Sequence, residues 1–269
     1  MDGAAAAARA GLARSLDAIR AGTPLVHNIT NIVVANSTAN ALLALGASPA
    51  MAESTDEVEE LVPAAGALVI NLGTISATWA AAMRLAACRA HAVGVPWVLD
   101  PVAVGVLAYR SRVAADLLRH RPAAIRGNAS EILSLAGMAG AGRGVDSTAQ
   151  SADAVDAARW LAGEIGAVVA VTGAVDYVTD GAAVIEVHNG HPLMPRVTGM
   201  GCTATAIVGA FLAVERDRLA ATAQGLCALG VAGEIAAERA RGPGSLQVEL
   251  LDALYALDAG ILETRARLQ

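Results

Sequence analysis

Cys202 stands directly behind a two-glycine turn in the stretch VTGMGCTATA, residues 197–206. Glycines at 199 and 201 permit positive φ and close backbone approach, and successive amides in such a turn form a concave anion site. The small residues that follow read as a helix, whose N-terminal end brings partial positive charge to the same place. Gly199, Met200, Gly201 and Cys202 would then form an anion hole able to hold a phosphoryl group through backbone amides. The same pattern also serves as a packing turn, and a free cysteine is most often a small buried hydrophobe. Both readings stand on these residues alone. In the functional one, the first turn of the helix lowers the thiol pKa below its ordinary ~8.5.

Other groups of chemical interest follow short apolar runs. In RGNASE, Arg126 is suited to an anion, while Asn128 and Glu131 have the spacing of a helix capping box. The alternative use of that pair is to organise a hydrated magnesium ion, which takes one or two carboxylates and keeps several waters. Asp100 closes the apolar run WVLDP, where it either caps a turn with Pro101 or faces a ligand cleft. HNITN (residues 27–31) and SPAMAES (residues 48–54) carry little charge, Glu53 aside, and fit a pocket for a small uncharged ligand, with Met51 either against a ring or in the core.

These residues need a frame, and the apolar pattern describes one. TPLVHN, GALVINLG, VPWVLDP, AAIRGN and AVVAVTG read as strands, with helices near residues 31–44, 75–92, 109–119 and 152–165. That alternation predicts an α/β fold with a mostly parallel sheet covered on both faces. DYVTDG and AVIEVH, separated by a glycine turn, predict an antiparallel hairpin on the sheet edge. From Gly201 onward the chain reads as helical, and AGMAGAGRG (residues 136–144) as a mobile loop. Ligands of such sheets gather where strands end and helices begin, so residues 28–31, 71–74, 100–101, 126–128 and 172–173 are the places to look.

Composition narrows the chemistry. The chain has 269 residues, 55% of them hydrophobic and 3% aromatic, enough for one domain with a core of Ala, Val, Leu and Ile. There is no lysine, which removes Schiff-base chemistry and a Walker-type phosphate loop. A net charge of −6 without a basic block disfavours nucleic acid and membrane surfaces as partners. Cys88, Cys202 and Cys227 have neither metal-ligand nor disulfide spacing, which fits a reducing, cytoplasmic setting, and Cys88 and Cys227 read as core. The first twenty residues lack a secretory apolar region, and the uncharged run 197–214 reads as a buried helix rather than a membrane span. Histidines 91, 120, 188 and 191 read as structural or surface groups.

Taken in order, PLVHNITNIVVANSTANALLALGASPAMA, GALVINLGTI, VLDPVAVG, AIRGNASEI, AVTGAVDYVTDG, HNGHPLMPRVTGMGC and GPGSLQVELLDAL resemble hydroxyethylthiazole kinase, of the ribokinase-like superfamily. The resemblance runs from about residue 23 to residue 256, and its most specific parts are the opening stretch and VTGMGC. It implies a single three-layer α-β-α domain spanning residues 1–269, and an ATP- and Mg2+-dependent kinase for the primary alcohol of 4-methyl-5-(2-hydroxyethyl)thiazole, in thiamine biosynthesis by salvage. It further implies that Met51, Gly199 and Asn31 contact the thiazole and that Arg126 and Thr172 bind ATP. Asp100 and Glu131 would surround the magnesium, and Cys202 would face the substrate hydroxyl. Wider relatives carry aspartate at that last position. Members are similar homotrimers with the thiazole pocket near a subunit boundary. Two positions depart from the family pattern: Met200 replaces a smaller residue and would crowd the anion hole, and Ile32 stands where a polar or aromatic residue is common. A dehydratase of similar fold has aspartate after the glycine turn, so Cys202 argues against that activity.

Overall fold

Strand and helix alternate from β1 (Leu25–Ile29) through α2 (Ala35–Leu45), β2 (Ser48–Met51), α3 (Val58–Leu61), β3 (Ala67–Asn71), α4 (Ala77–Val93), β4 (Trp97–Asp100) and α5 (Ala108–Leu118). The alternation continues with β5 (Ala124–Asn128), α6 (Ala129–Ala136), α7 (Val155–Ile165) and β6 (Val168–Thr172). The structure is a computed structural model that describes residues 2–138 and 151–269, so most of the loop expected at 136–144 lies outside the described residues. Among the described residues the sheet has eight strands, in the order β2-β1-β3-β4-β5-β6-β7-β8. The first six are parallel, and β7 (Asp176–Thr179) and β8 (Val184–Val187) add the expected antiparallel hairpin.

Side chains alternate across each strand, and the two faces collect separate cores. Leu68, Ile70, Trp97, Leu99 and Ile125 face one way and pack with residues of α3 to α7. Val26, Val69, Val98, Ala170 and Val178 face the other way. That second face is covered by α1 (Asp2–Gly22), α2, α8 (Met200–Leu212), α9 (Arg218–Arg239), α10 (Pro243–Ala256) and α11 (Ala259–Arg265). The result is the expected three-layer α-β-α arrangement with a helical C-terminal part. Residues 267–269 differ from that expectation, because they pair with β8: Glu186 N–H donates to Gln269 O at 2.7 Å, and Gln269 N–H donates back at 3.0 Å.

Three elements have no counterpart in the apolar pattern: β2, α1 and the four-residue α3. β2 is short and contains Pro49, which is admissible because β2 is an edge strand. α1 is rich in alanine and arginine, yet it buries Leu12, Leu16 and Ile19 against the C-terminal helices. The uncharged run 197–214 yields only the thirteen-residue α8, too short to span a bilayer. Among the described residues the one helix long and apolar enough to cross a bilayer is α9, and 89% of its apolar window is buried inside the protein.

The placement of α8 governs the centre of the molecule. A Cβ on Gly209 would lie 2.7 Å from Val69 Cγ2 and 3.4 Å from Val26 Cγ1, so the bare glycine lets the helix axis approach the sheet. Four residues towards its N-terminus, about 6 Å of helix rise, lies Thr205. Two residues along β4 from Val98, about 6.6 Å of strand, lies Asp100. The two advances match, and Thr205 Oγ1 donates to Asp100 Oδ2 at 2.8 Å. Gly209→Val is expected to destabilise the protein by about 1–3 kcal/mol through overpacking. Urea denaturation measures it, and an unchanged midpoint would show that the close approach is not needed.

Candidate active site

The C-terminal ends of the parallel strands, taken in sheet order, carry Met51 (β2), Asn31 just past β1, Asn71 (β3), Asp100 (β4), Arg126 and Asn128 (β5), and Thr172 (β6). The residues expected to contact the thiazole thus lie at one end of the row and the two expected to bind ATP at the other. Between β1 and β5 lie three strand spacings, roughly 14 Å. The N-terminus of α8 enters above the middle of this row, where Thr205 meets Asp100.

Gly199 is the N-cap of α8 at φ +80°, a left-handed conformation that a Cβ would also block by lying 2.2 Å from Val34 Cγ1. Its carbonyl accepts the Thr203 N–H at 2.9 Å, which starts the helix. The amides of Met200, Gly201 and Cys202 therefore occupy the first turn, where no intrahelical acceptor exists. A Cβ on Gly201 would lie 2.6 Å from Arg126 Nη1, so the guanidinium rests directly against this turn. Arg126 Nε is buried and finds no hydrogen-bond partner among the described residues. A helix N-terminus and an arginine that has no ion pair among the described residues suit a phosphate, and the glycines leave it room. Met200 packs against the core on the α8 side, which accounts for its bulk. Ile32 is 71% exposed on the rim.

Asp100 is 1% exposed and accepts hydrogen bonds on Oδ2 from Asn71 Nδ2 at 2.7 Å and from Thr205. Burial raises its pKa to about 6, against the attraction of Arg126 and with a further push from Glu131. Asp176, at the start of β7, accepts the Gly173 N–H at 2.9 Å, and burial raises its pKa to about 6 as well. Asn128 and Glu131 form a complete capping box: the Glu131 N–H donates to Asn128 Oδ1 at 2.9 Å, and the Asn128 N–H donates to Glu131 Oε2 at 2.9 Å. Glu131 Oε1 also takes the Ala103 N–H at 2.9 Å, which pins the loop after β4. Among the described residues, no group of three or more His, Cys, Asp or Glu is arranged to hold a metal. An ion beside Asp100 and Glu131 would have to keep most of its own waters, since both Glu131 oxygens already accept backbone N–H groups.

The Cys202 thiol departs from its expected behaviour. Burial and the Asp100 carboxylate push its pKa up, and the donors Asn31 and Asn71 and the charge of Arg126 offset them only in part. The thiol is half-buried beside an acidic group, and both circumstances disfavour the thiolate. Asn31 Nδ2 donates to Cys202 Sγ at 3.3 Å. Cys227 is core, as expected, with its thiol pushed up to about 12, whereas Cys88 is exposed on α4 rather than buried. Met51 is half-buried at the end of β2, where His27 Nε2 meets the next carbonyl, Ala52 O, at 2.8 Å. Thr172 Oγ1 donates to Gly127 O at 3.3 Å, tying the ends of β6 and β5. Sequence reasoning marked Asn71 among the strand-end positions without giving it a role, and did not single out Thr205 or Asp176. Thr205 had a signal as a hydroxyl on an apolar helix, and Asp176 as the acidic residue that opens β7.

This fold and this row of strand ends are those of a ribokinase-like kinase. The chain belongs to the hydroxyethylthiazole kinase family, whose sequence profile matches residues 16–260. It is 63% identical over 252 residues to hydroxyethylthiazole kinase of Granulibacter bethesdensis, covering 94% of this chain and 92% of that protein. It is 52% identical over 255 residues to the enzyme of the same name from Nitratidesulfovibrio vulgaris, covering 94% and 96%. The solved hydroxyethylthiazole kinase of Pyrococcus horikoshii superposes with a TM-score of 0.90 at 43% identity, over 96% of this chain and 98% of that one. A pyridoxal kinase from Bacillus subtilis shares the fold alone, with a TM-score of 0.58 at 17% identity over 78% and 92%.

The raised pKa of Asp100 has a consequence for stability. Its folded pKa lies above the unfolded 3.8, so the native state binds the proton more tightly and the ionised form costs stability. The contribution is favourable below the unfolded value and is lost as pH rises through about 6. Asp100→Asn is therefore expected to stabilise the protein at pH 7 by on the order of 2 kcal/mol. That advantage should shrink as pH falls towards 4.5, and denaturant midpoints across this range are the measurement. A gain that grows with acidity would contradict the assignment.

Proposed function

We propose that this chain, working as a single domain, transfers the γ-phosphoryl group of ATP to the primary alcohol of 4-methyl-5-(2-hydroxyethyl)thiazole. The product serves thiamine biosynthesis by thiazole salvage, in the cytoplasm. The observation that carries this reading is the order of the strand ends. Groups fit for a small neutral ring, Met51 and Asn31, lie on one side of the α8 N-terminus, and Arg126 and Thr172 lie on the other. Family membership supplies the identity of the ring.

Phosphoryl transfer has a loose transition state, so the protein's task is to align reactants and neutralise charge. The amides of residues 199–202 and the Arg126 guanidinium hold the transferred group where its equatorial oxygens gain charge. The alcohol oxygen bonds to the γ-phosphorus as the bond to the bridging oxygen breaks, and ADP leaves with that electron pair. Cys202 stays a neutral thiol, in keeping with its raised pKa. Its sulfur accepts the hydroxyl's hydrogen bond and aims the oxygen, and the proton departs late to an oxygen of the phosphoryl group. Mg2+, when bound, would supply positive charge to the phosphates, and Asp100 and Glu131 would hold it through its waters.

An assay with hydroxyethylthiazole, ATP and Mg2+ is expected to give the thiazole phosphate and ADP in equal amounts, and none without the metal. No phosphate on the thiazole, with transfer to another small alcohol, would replace the substrate. Cys202→Ala is expected to lower kcat by about 10²-fold with the KM for ATP little changed. Cys202→Asp, which supplies another acceptor for the hydroxyl, keeps activity. An unimpaired alanine variant would remove Cys202 from the mechanism. The chain also works as a homotrimer. Ile32 and Val33, 71% and 58% exposed beside Asn31, are apolar surface suited to a subunit boundary at the thiazole pocket. Sedimentation equilibrium is expected to give three times the chain mass, and Ile32→Glu to weaken it; a monomer that retains full activity would refute the trimer.

A further inference from the structure

Asp100, Asn71 and Asn31 form a chain of hydrogen bonds that ends on Cys202. Asn71 Nδ2 donates to Asp100 Oδ2 at 2.7 Å. Asn31 Nδ2 donates to Asn71 Oδ1 at 2.9 Å and to Cys202 Sγ at 3.3 Å. Asn71 Oδ1 also takes the Gly73 N–H at 2.9 Å. The β3–β4 register sets Asn71 directly opposite Asp100, and both are buried.

The chain has a direction. An ionised carboxylate only accepts, so Asp100 draws the amide nitrogen of Asn71 and turns its oxygen the other way. That oxygen needs donors, and Asn31 and the Gly73 amide provide them. Asn31 is thereby held with its nitrogen towards Asn71 and the sulfur, while its own oxygen takes the Val33 N–H at 3.1 Å. The backbone is shaped around the same contact, since a Cβ on Gly73 would lie 2.8 Å from Asn31 Nδ2. Both polar atoms of the Asn71 side chain take part in the link, Nδ2 towards Asp100 and Oδ1 towards Asn31, and Oδ1 also holds the turn at Gly73.

We propose that Asn71 is a positioning residue for phosphoryl transfer, one that fixes the Cys202 sulfur through Asn31 by reference to the Asp100 carboxylate. The proposal rests on the reading that Cys202 faces the acceptor hydroxyl. In this role Asn71 acts through Asn31 rather than on the thiazole or ATP. It decides whether the sulfur stands where the hydroxyl needs it.

Asn71→Leu, of similar volume, removes both ends of the link. With hydroxyethylthiazole and ATP its kcat is expected to fall about 10- to 100-fold, the usual cost of misplacing a reacting group. The KM for ATP stays within about twofold, because Arg126 and Thr172 lie on the far side of the site. In a Cys202→Ala background the same substitution costs less than about threefold, because its effect passes through the sulfur. Equal losses in the two backgrounds, or wild-type turnover in Asn71→Leu, overturn the proposal. If Asn71→Leu gives no cooperative melt, Asn71→Asp is read by the same cycle. Failure of both to fold makes Asn71 a structural residue and overturns the proposal too. Wild-type turnover in Cys202→Ala instead overturns the reading of Cys202, and the positioning role with it, so the two failures are told apart.

Discussion

The hydrogen bond from Thr205 to the buried Asp100 joins a helix to a sheet at the point where the chemistry is placed. It exists because Gly209 lets α8 lie close on Val69 and Val26, and because helix and strand advance by nearly equal steps from there. Everything at the α8 N-terminus inherits its position from that contact. Gly199 begins the helix, Gly201 receives the Arg126 guanidinium, and Cys202 arrives beside Asn31. A buried carboxylate is a costly anchor, and its raised pKa records the cost. The protein keeps it where a charge is wanted, which is a common trade between stability and function.

Much of the frame was legible in the sequence because one-face and two-face burial leave different signatures. The strands ending at Asn71, Asp100 and Thr172 are nearly continuous apolar runs, as strands covered on both faces must be. The Asn128–Glu131 spacing announced its capping box, and the glycine turn between β7 and β8 announced the hairpin. β2 escaped because four residues with a proline carry no periodic signal. α1 escaped because alanine and arginine mask a buried stripe of Leu12, Leu16 and Ile19.

The site was legible in its residues but less so in its electrostatics. Helix position alone predicted a low thiol pKa at Cys202. The outcome is set by a carboxylate that lies far away in the chain and by the solvent excluded between them, and no local pattern records either. Cys88 shows the same limit in reverse. Its alanine-rich surroundings read as core, yet its place on the turn of α4 leaves it exposed. Glu131 had two sequence readings, and the capping geometry shows that its structural task comes first. That task also fixes the loop after Asp100 through Ala103. A residue that braces the site in this way is costly to change whatever else it binds.

The two margins of the sheet constrain how copies of this chain can meet. At one margin, residues 267–269 already take the hydrogen-bonding groups of β8; at the other, Pro49 interrupts the row of donors on β2. Neither margin offers an unbroken ladder, so a continuous sheet running from one copy into the next is disfavoured at both ends. Association is left to side chains on the helices and loops, whose composition evolution can tune one residue at a time without disturbing the sheet that aligns the reacting groups.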